Sequence, residues 1–189
     1  MPLRFPGDVQ VTHVRNARKT SKSDLKCTDI EWSLAEDMAP LDQTDRKLLA
    51  LLQEDDRLAL AELSKRIGIP ASTVNDRIKR LVKHNIIAGF HARLSPEAMR
   101  LDLLAFTFVG WSDAKVEPVF LKKVKASPDV LECHHVTGAW NYLLKVRVGT
   151  TRDLERFLAD TVKSVPGVER TETVIVLSSA KETWSLQVP

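Results

Sequence analysis

The sequence predicts an α+β protein: an N-terminal winged helix-turn-helix followed by a C-terminal ferredoxin-like βαββαβ domain. Three observations predict it. Between residues 41 and 94, three short segments repeat apolar residues at a helical period, and the second is closed by Gly68. Between 101 and 189 the chain repeats itself: Phe120-Leu121, Val124 and Pro128-Asp129-Val130 are answered by Phe157-Leu158, Val162 and Pro166-Gly167-Val168. Each copy follows a β-prone run, Leu103 to Trp111 and Tyr142 to Val148, so the order reads β-α-β twice, a sheet with two helices on one face.

Residues 1–40 read as an extension. Arg15 to Lys26 is polar and basic with no apolar period, the composition of a disordered segment. Trp32, Leu34 and Met38 could form a short docking helix; alternatively, translation begins at Met38, just before the organised pattern. In the first helix Asp42 is the expected N-cap, Asp45 lies in the first turn where the helix dipole favours an anion, and Thr44, Leu48, Leu51 and Leu52 share a face. A turn at Asp55-Asp56-Arg57 precedes the second helix, about Leu60 to Ile67, with Leu63 and Ile67 inward. The third runs from about Ala71 to His84, with Val74, Ile78 and Leu81 inward and Asn85 suited to the positive φ that ends a helix. Ile86 to Leu94, β-prone and interrupted by Gly89, fits a two-stranded wing that completes a first domain over residues 41–94. A linker over 95–100 follows, with hinge motion expected from Phe90 to Pro96; the second domain covers 101–189, where Lys181 to Val188 could add a last strand.

With 189 residues, 43% hydrophobic and 28% charged, the chain can bury two small cores. Its longest uncharged apolar run, Leu103 to Trp111, is less than half a membrane span, and no basic-then-apolar leader opens it, which reads as a cytoplasmic protein with no membrane partner. Cys27 and Cys133 suggest no disulfide framework. The net charge is +3, and the whole excess lies in residues 41–94, which carry ten Lys/Arg against seven Asp/Glu. That is where a phosphate-binding surface would need it.

Two short helices joined by a Gly-containing turn make a helix-turn-helix, whose second helix lies in the major groove with its N-terminal residues at base edges. Opposite the apolar stripe of the third helix lie Ser72, Thr73, Asn75, Asp76, Arg77, Lys79, Arg80 and Lys83. Arg can pair with guanine or phosphate, Asn can read adenine, and hydroxyls can bond phosphate. These residues are therefore the expected contacts to double-stranded promoter DNA. A single such helix offers few base contacts, so a homodimer reading two half-sites about one helical turn apart is expected.

With those elements in place, the sequence resembles the leucine-responsive/asparagine-responsive (Lrp/AsnC, feast/famine) family of regulators over about Leu41 to Val188. The resemblance rests on Leu41-Asp42-x-x-Asp45-Arg46-Lys47-Leu48-Leu49, Glu62-Leu63-Ser64-Lys65-Arg66-Ile67-Gly68 and Ser72-Thr73-Val74-x-x-Arg77-Ile78-x-x-Leu81. It continues in Glu132-Cys133-His134-x-Val136-Thr137-Gly138-x-x-Asn141-Tyr142-Leu143-Leu144-Lys145 and Pro166-Gly167-Val168-x-x-Thr171-x-Thr173. The resemblance implies a DNA-binding dimer that assembles further, to octamers in many members, and an amino-acid effector bound between dimers, with no other cofactor. The family's effector positions fall on Gly138, Ala139, Trp140, Asn141, Tyr142, Thr171 and Thr173. Gly138 would let backbone groups approach a ligand, and Thr hydroxyls could bond its carboxylate or amine; on the residues alone, a tight turn packed by Trp140 is the alternative. Asn141 stands where the family has Asp, which removes the charge best suited to an ammonium group. Ala59 and Pro70 stand where Ser or Thr caps are usual, each lost cap being worth ~1 kcal/mol, and Asn85 replaces a usual Gly.

Other functions fit less well. Cys133, His134 and His135 are consecutive, so on a strand they alternate faces and cannot all ligate one metal ion. No catalytic constellation, phosphate-cradling Gly-rich loop or nucleophile elbow is present, so no catalytic residue and no enzyme activity is expected. An RNA-binding sheet would need stacked aromatics, for which Phe106, Phe108 and Tyr142 are the candidates. A regulatory domain of an amino-acid enzyme would need a catalytic domain for which the chain has no room.

Overall fold

The computed structural model describes residues 41–188. The extension, with its expected disorder and its candidate docking helix at Trp32 to Met38, lies outside the described residues. The order of elements is α1 (Gln43–Glu54), α2 (Leu60–Ile67), α3 (Ala71–Lys83), β1 (Leu103–Gly110), α4 (Val116–Ala126), β2 (Val130–His135), β3 (Tyr142–Val148), α5 (Thr151–Phe157) and β4 (Arg170–Ile175). A π-helical stretch, Leu158–Lys163, continues α5.

Asp42 caps α1 through a full capping box: the Asp45 N–H donates to Asp42 Oδ1 at 2.7 Å, and the Asp42 N–H donates to Asp45 Oδ2 at 3.3 Å. Ala59 and Pro70 occupy the caps of α2 and α3 and supply no side-chain bond. Gly68 ends α2 at φ +83°, where a side chain would be strained, and its N–H donates to the Ser64 carbonyl at 2.8 Å. Asn85, at φ +56°, plays the same part after α3. Leu48, Leu63, Val74 and Leu81 are almost fully buried and form the core of this trihelical unit.

Residues 86–94 do not make the expected two-stranded wing. Ile86 and Ile87 bend back, their N–H groups donating to the Leu81 carbonyl at 2.9 and 3.2 Å, the residues after them form no β-ladder, and Phe90 and Leu94 stay exposed. Arms this short bury no apolar face, so nothing fixes a hairpin register within the chain.

Past the linker, the four strands form one antiparallel sheet in the order β2-β3-β1-β4. This is the ferredoxin-like arrangement, with α4 and α5 on one face. The core between them joins Ala105, Val109, Leu144, Val146 and Val148 of the sheet to Phe120, Val124, Leu154, Phe157 and Val162 of the helical layer. The alternation of strands settles the rest: Phe106, Phe108, Lys145, Arg147 and Val174 point to the opposite face. The expected strand at Lys181 to Val188 does not form. That segment has no regular secondary structure, and Glu182 bonds side chains of the interior strand β3, so it lies against the sheet's face instead of lengthening an edge. Among the described residues no helix is long and apolar enough to cross a membrane.

Candidate nucleic-acid interface and effector cleft

The residues expected at DNA do not form one surface. At 100° per residue, Ser72, Asp76, Lys79 and Lys83 fall on a single outward stripe of α3, diametrically opposite Val74, Ile78 and Leu81. All four are exposed, and Asn75 flanks them half-buried. Thr73, Arg77 and Arg80 share the flank that turns toward α1. There Arg77 Nη1 meets Asp42 Oδ2 at 2.6 Å and Asp45 Oδ1 at 2.8 Å, while Arg80 Nη2 meets Asp45 Oδ2 at 2.6 Å. Asp45 is 1% exposed, so the two arginines close over a buried carboxylate. Hydrogen bonds to Asp42 and Asp45 hold the Arg77 guanidinium above its ordinary pKa, and its buried Nε meets no hydrogen-bond partner among the described residues. The Asp45 backbone N–H, followed by the Arg77 side chain, holds Asp42 below the usual carboxylate range. Arg77 is thereby committed to the trihelical fold. Arg80, half exposed, keeps donors that face solvent.

The loop between β2 and β3 is sewn to the end of β1. The Val136 N–H donates to the Asn141 carbonyl at 3.0 Å, the Asn141 N–H to the Val109 carbonyl at 2.9 Å, and the Trp111 N–H to Asn141 Oδ1 at 2.8 Å. Gly138 turns this loop at φ +104°. Beside it opens a cleft of about 210 Å³ lined by Trp111, Ser112, Ala114, Glu117, His135, Asn141 and Tyr142. Tyr142 stacks with Trp111 at 5.6 Å and with His135 at 5.0 Å between ring centroids, and its hydroxyl donates to Glu117 Oε1. Of the residues expected to hold an effector, the cleft therefore gathers Asn141 and Tyr142. Trp140 lies on the other side of the sheet, 5.9 Å from Phe108 and under the Arg170 guanidinium, which also donates to the Ala139 carbonyl. Thr173 bonds Thr107 across the strands at 3.2 Å, and neither it nor Thr171 lines the cleft.

The sequence of the domain that carries this cleft matches the family model described as the Lrp/AsnC ligand binding domain over residues 105–186, and residues 41–88 match a winged helix-turn-helix DNA-binding model. The chain is 40% identical to the proline dehydrogenase transcriptional activator of Rhizobium radiobacter, over 76% of this chain and 93% of that one. The chain belongs to the Lrp/AsnC family of transcriptional regulators. A Neisseria meningitidis transcriptional regulator, solved as a complex with L-methionine, superposes with a TM-score of 0.75 at 36% identity, covering 78% of this chain and 97% of that one. Escherichia coli AsnC superposes with a TM-score of 0.74 at 27% identity, covering 80% and 100%. The Rhizobium and Neisseria relatives are both named as regulators of transcription.

Against this Lrp/AsnC frame, sequence reasoning missed Glu117, the one carboxylate lining the cleft. Its only signal was a place in the first turn of α4, which says nothing of a loop some two dozen residues later. The RNA reading loses its stacking platform, because Tyr142 packs in the core while Phe106 and Phe108 occupy the opposite face. Cys133 packs against the core, where burial pushes its thiol pKa up, while His134 bonds Glu132 and His135 stacks on Tyr142.

Proposed function

We propose that this regulator binds double-stranded promoter DNA as a cytoplasmic homodimer, with the outward stripe of α3 in the major groove of each half-site. The observation that carries this is the stripe itself. Ser72 and Asp76 stand near the N-terminal end of α3, where base edges are reached, and Lys79 and Lys83 extend the same line toward the backbone. Thr73, Asn75 and Arg80 are flanking contacts, and Arg77 serves by positioning α3 on α1. A second copy fits the part of this sheet face that the tail leaves uncovered, where Phe106 and Phe108 lie half-buried and Val174 is 47% exposed. Further assembly toward an octamer would use the loops at the sheet's ends.

The effector in this reading is an amino acid held at the cleft, the class represented by the L-methionine bound to the Neisseria relative. Asn141 Oδ1 is already engaged by the Trp111 N–H, so the Glu117 carboxylate, with aromatic walls from Trp111 and Tyr142, is the group that receives the ammonium. Bound effector acts by favouring one assembly over another and so changing the geometry presented to DNA.

Two experiments test the reading. Footprinting on an operator selected from random duplex should protect two half-sites about one helical turn apart; protection of one isolated half-site would remove the dimer reading. A thermal-shift screen of the amino acids should give a hit that Glu117→Gln abolishes. A hit of equal size in both proteins would remove Glu117, and no hit in either would remove the effector.

A further inference from the structure

We propose that the C-terminal tail, residues 177–188, is a strap that sets the angle of the trihelical unit on the sheet, with Glu182 and Leu186 as its two fastenings. The tail leaves β4 after the Val176 N–H bonds the Leu104 carbonyl at 2.9 Å, and it forms neither helix nor strand. Its first fastening lies on the sheet. Glu182 spans Lys145 Nζ at 2.7 Å and Arg147 Nη2 at 3.3 Å, and the Trp184 ring lies 5.4 Å from Lys145 Nζ. Both cations are only 11% exposed, and Glu132 alone, 3.2 Å from Lys145, would leave two partly buried positive charges against one negative. The tail supplies the missing carboxylate.

The second fastening lies on the trihelical unit. Gln53, next to last in α1, donates Nε2 to the Leu186 carbonyl at 3.0 Å and accepts the Leu186 N–H on Oε1 at 2.7 Å. One amide thus grips both backbone groups of a single tail residue, as a neighbouring strand would. Between the two fastenings, Arg93, in the segment that leads out of α3, donates to the Glu182 carbonyl at 3.3 Å, and Arg147 also reaches the Leu101 carbonyl at 3.3 Å.

The remaining packing makes these bonds matter. Extensive contact between elements occurs within the trihelical unit and within the sheet and its helices, not between the two. Where a linker and sparse packing are all that otherwise join two such parts, relative motion is the default. A tail bonded to both removes that freedom, and because Gln53 and Leu186 are exposed, its hold is light enough to release. In a dimer, the angle of each trihelical unit decides how far apart the two α3 helices stand. This consequence, unlike the strap itself, rests on the paired-α3 reading above.

The test compares the full chain with Gln53→Ala/Glu182→Gln. Spin labels at Lys65→Cys and Lys163→Cys, in a Cys27→Ser/Cys133→Ser background diluted with unlabelled protein, report the angle by electron–electron distance measurement. A single narrow distribution should widen about two-fold or more in the double variant, and Glu182→Asp should restore part of it. An equally narrow distribution in the variant, or a broad one in the unmutated tail, overturns the strap. On a selected operator whose half-sites are moved apart in single base pairs, affinity should fall about tenfold away from the best spacing, and by under about threefold in the variant. If the distance widens while the spacing profile is unchanged, the strap does not govern spacing. A flat profile in the unmodified protein refutes the paired-α3 reading and leaves the distance result to decide the strap.

Discussion

Replacing Asp45 with Asn tests whether α1 holds α3 through its arginines. The change removes a charge that accepts from Arg77 at 2.8 Å and Arg80 at 2.6 Å while leaving the shape of the side chain. Breaking a fully buried pair from one side costs about 3–5 kcal/mol. Here the partners are not fully buried: Arg77 is 24% and Arg80 45% exposed, and Arg77 keeps Asp42 at 2.6 Å. An amide oxygen can accept from only one of the two guanidinium groups, and its NH2 then faces the donors of the other, so one hydrogen bond is weakened and one is lost, about 1 kcal/mol each at these exposures. The expected destabilisation is therefore about 2 kcal/mol, which in a domain this small lowers Tm by roughly 10 °C. Urea unfolding followed by far-UV circular dichroism measures it, with an Arg80→Ala cycle to isolate the pair. The same change releases Arg80 on the flank of α3 while Arg77 stays on Asp42, so non-specific DNA affinity should rise, with the salt slope steeper by about one. A loss below about 0.5 kcal/mol with an unchanged slope would refute the assignment of Arg77 and Arg80 to the fold.

Three further outcomes follow from other parts of the structure. Lys79→Ala/Lys83→Ala should weaken binding to all duplex sequences alike and lower the salt slope by about two, read by titration at several salt concentrations, with no change in Tm beyond about 2 °C. Phe120 is fully buried and central to the sheet-and-helix core, so Phe120→Ala should destabilise that domain by about 3–5 kcal/mol in urea unfolding. Acid should loosen the tail: the Lys145 bond holds Glu182 below its ordinary pKa of 4.5, so its contribution is present above that value and is lost as pH falls through the depressed one. Glu182→Gln should accordingly flatten the acid limb of stability against pH below about 4.5, measured by thermal unfolding across buffers.

Much of the fold is legible residue by residue. The 3.6-residue spacing of Val74, Ile78 and Leu81 places α3, and Gly68 and Asn85 sit where the backbone turns positive. The repeat ending at Pro128 and Pro166 marks the two strand–helix units, because each element's burial leaves a period in its own sequence. The wing and the last strand were read from β-prone composition alone, and composition does not say whether a partner strand is within reach; neither pairs. The division of α3 into an outward stripe and an α1-facing flank was also implicit in its spacing, but the flank's chemistry was not. Arginines at a helix surface look alike until a carboxylate from elsewhere meets two of them.

What the sequence determined by itself, then, is the helices and the four strands that pair, their order, their buried stripes, and the family. Local geometry is enough for these, since periodicity and caps act over a few residues. Only the tertiary structure decided that Arg77 and Arg80 close over Asp45, that Glu117 rather than Thr171 or Thr173 lines the cleft with Tyr142, and that the tail binds Lys145 and Gln53. Each of these is a meeting of side chains or backbone far apart in the chain. Such a meeting depends on how packed elements are oriented and leaves no period in the sequence of either partner.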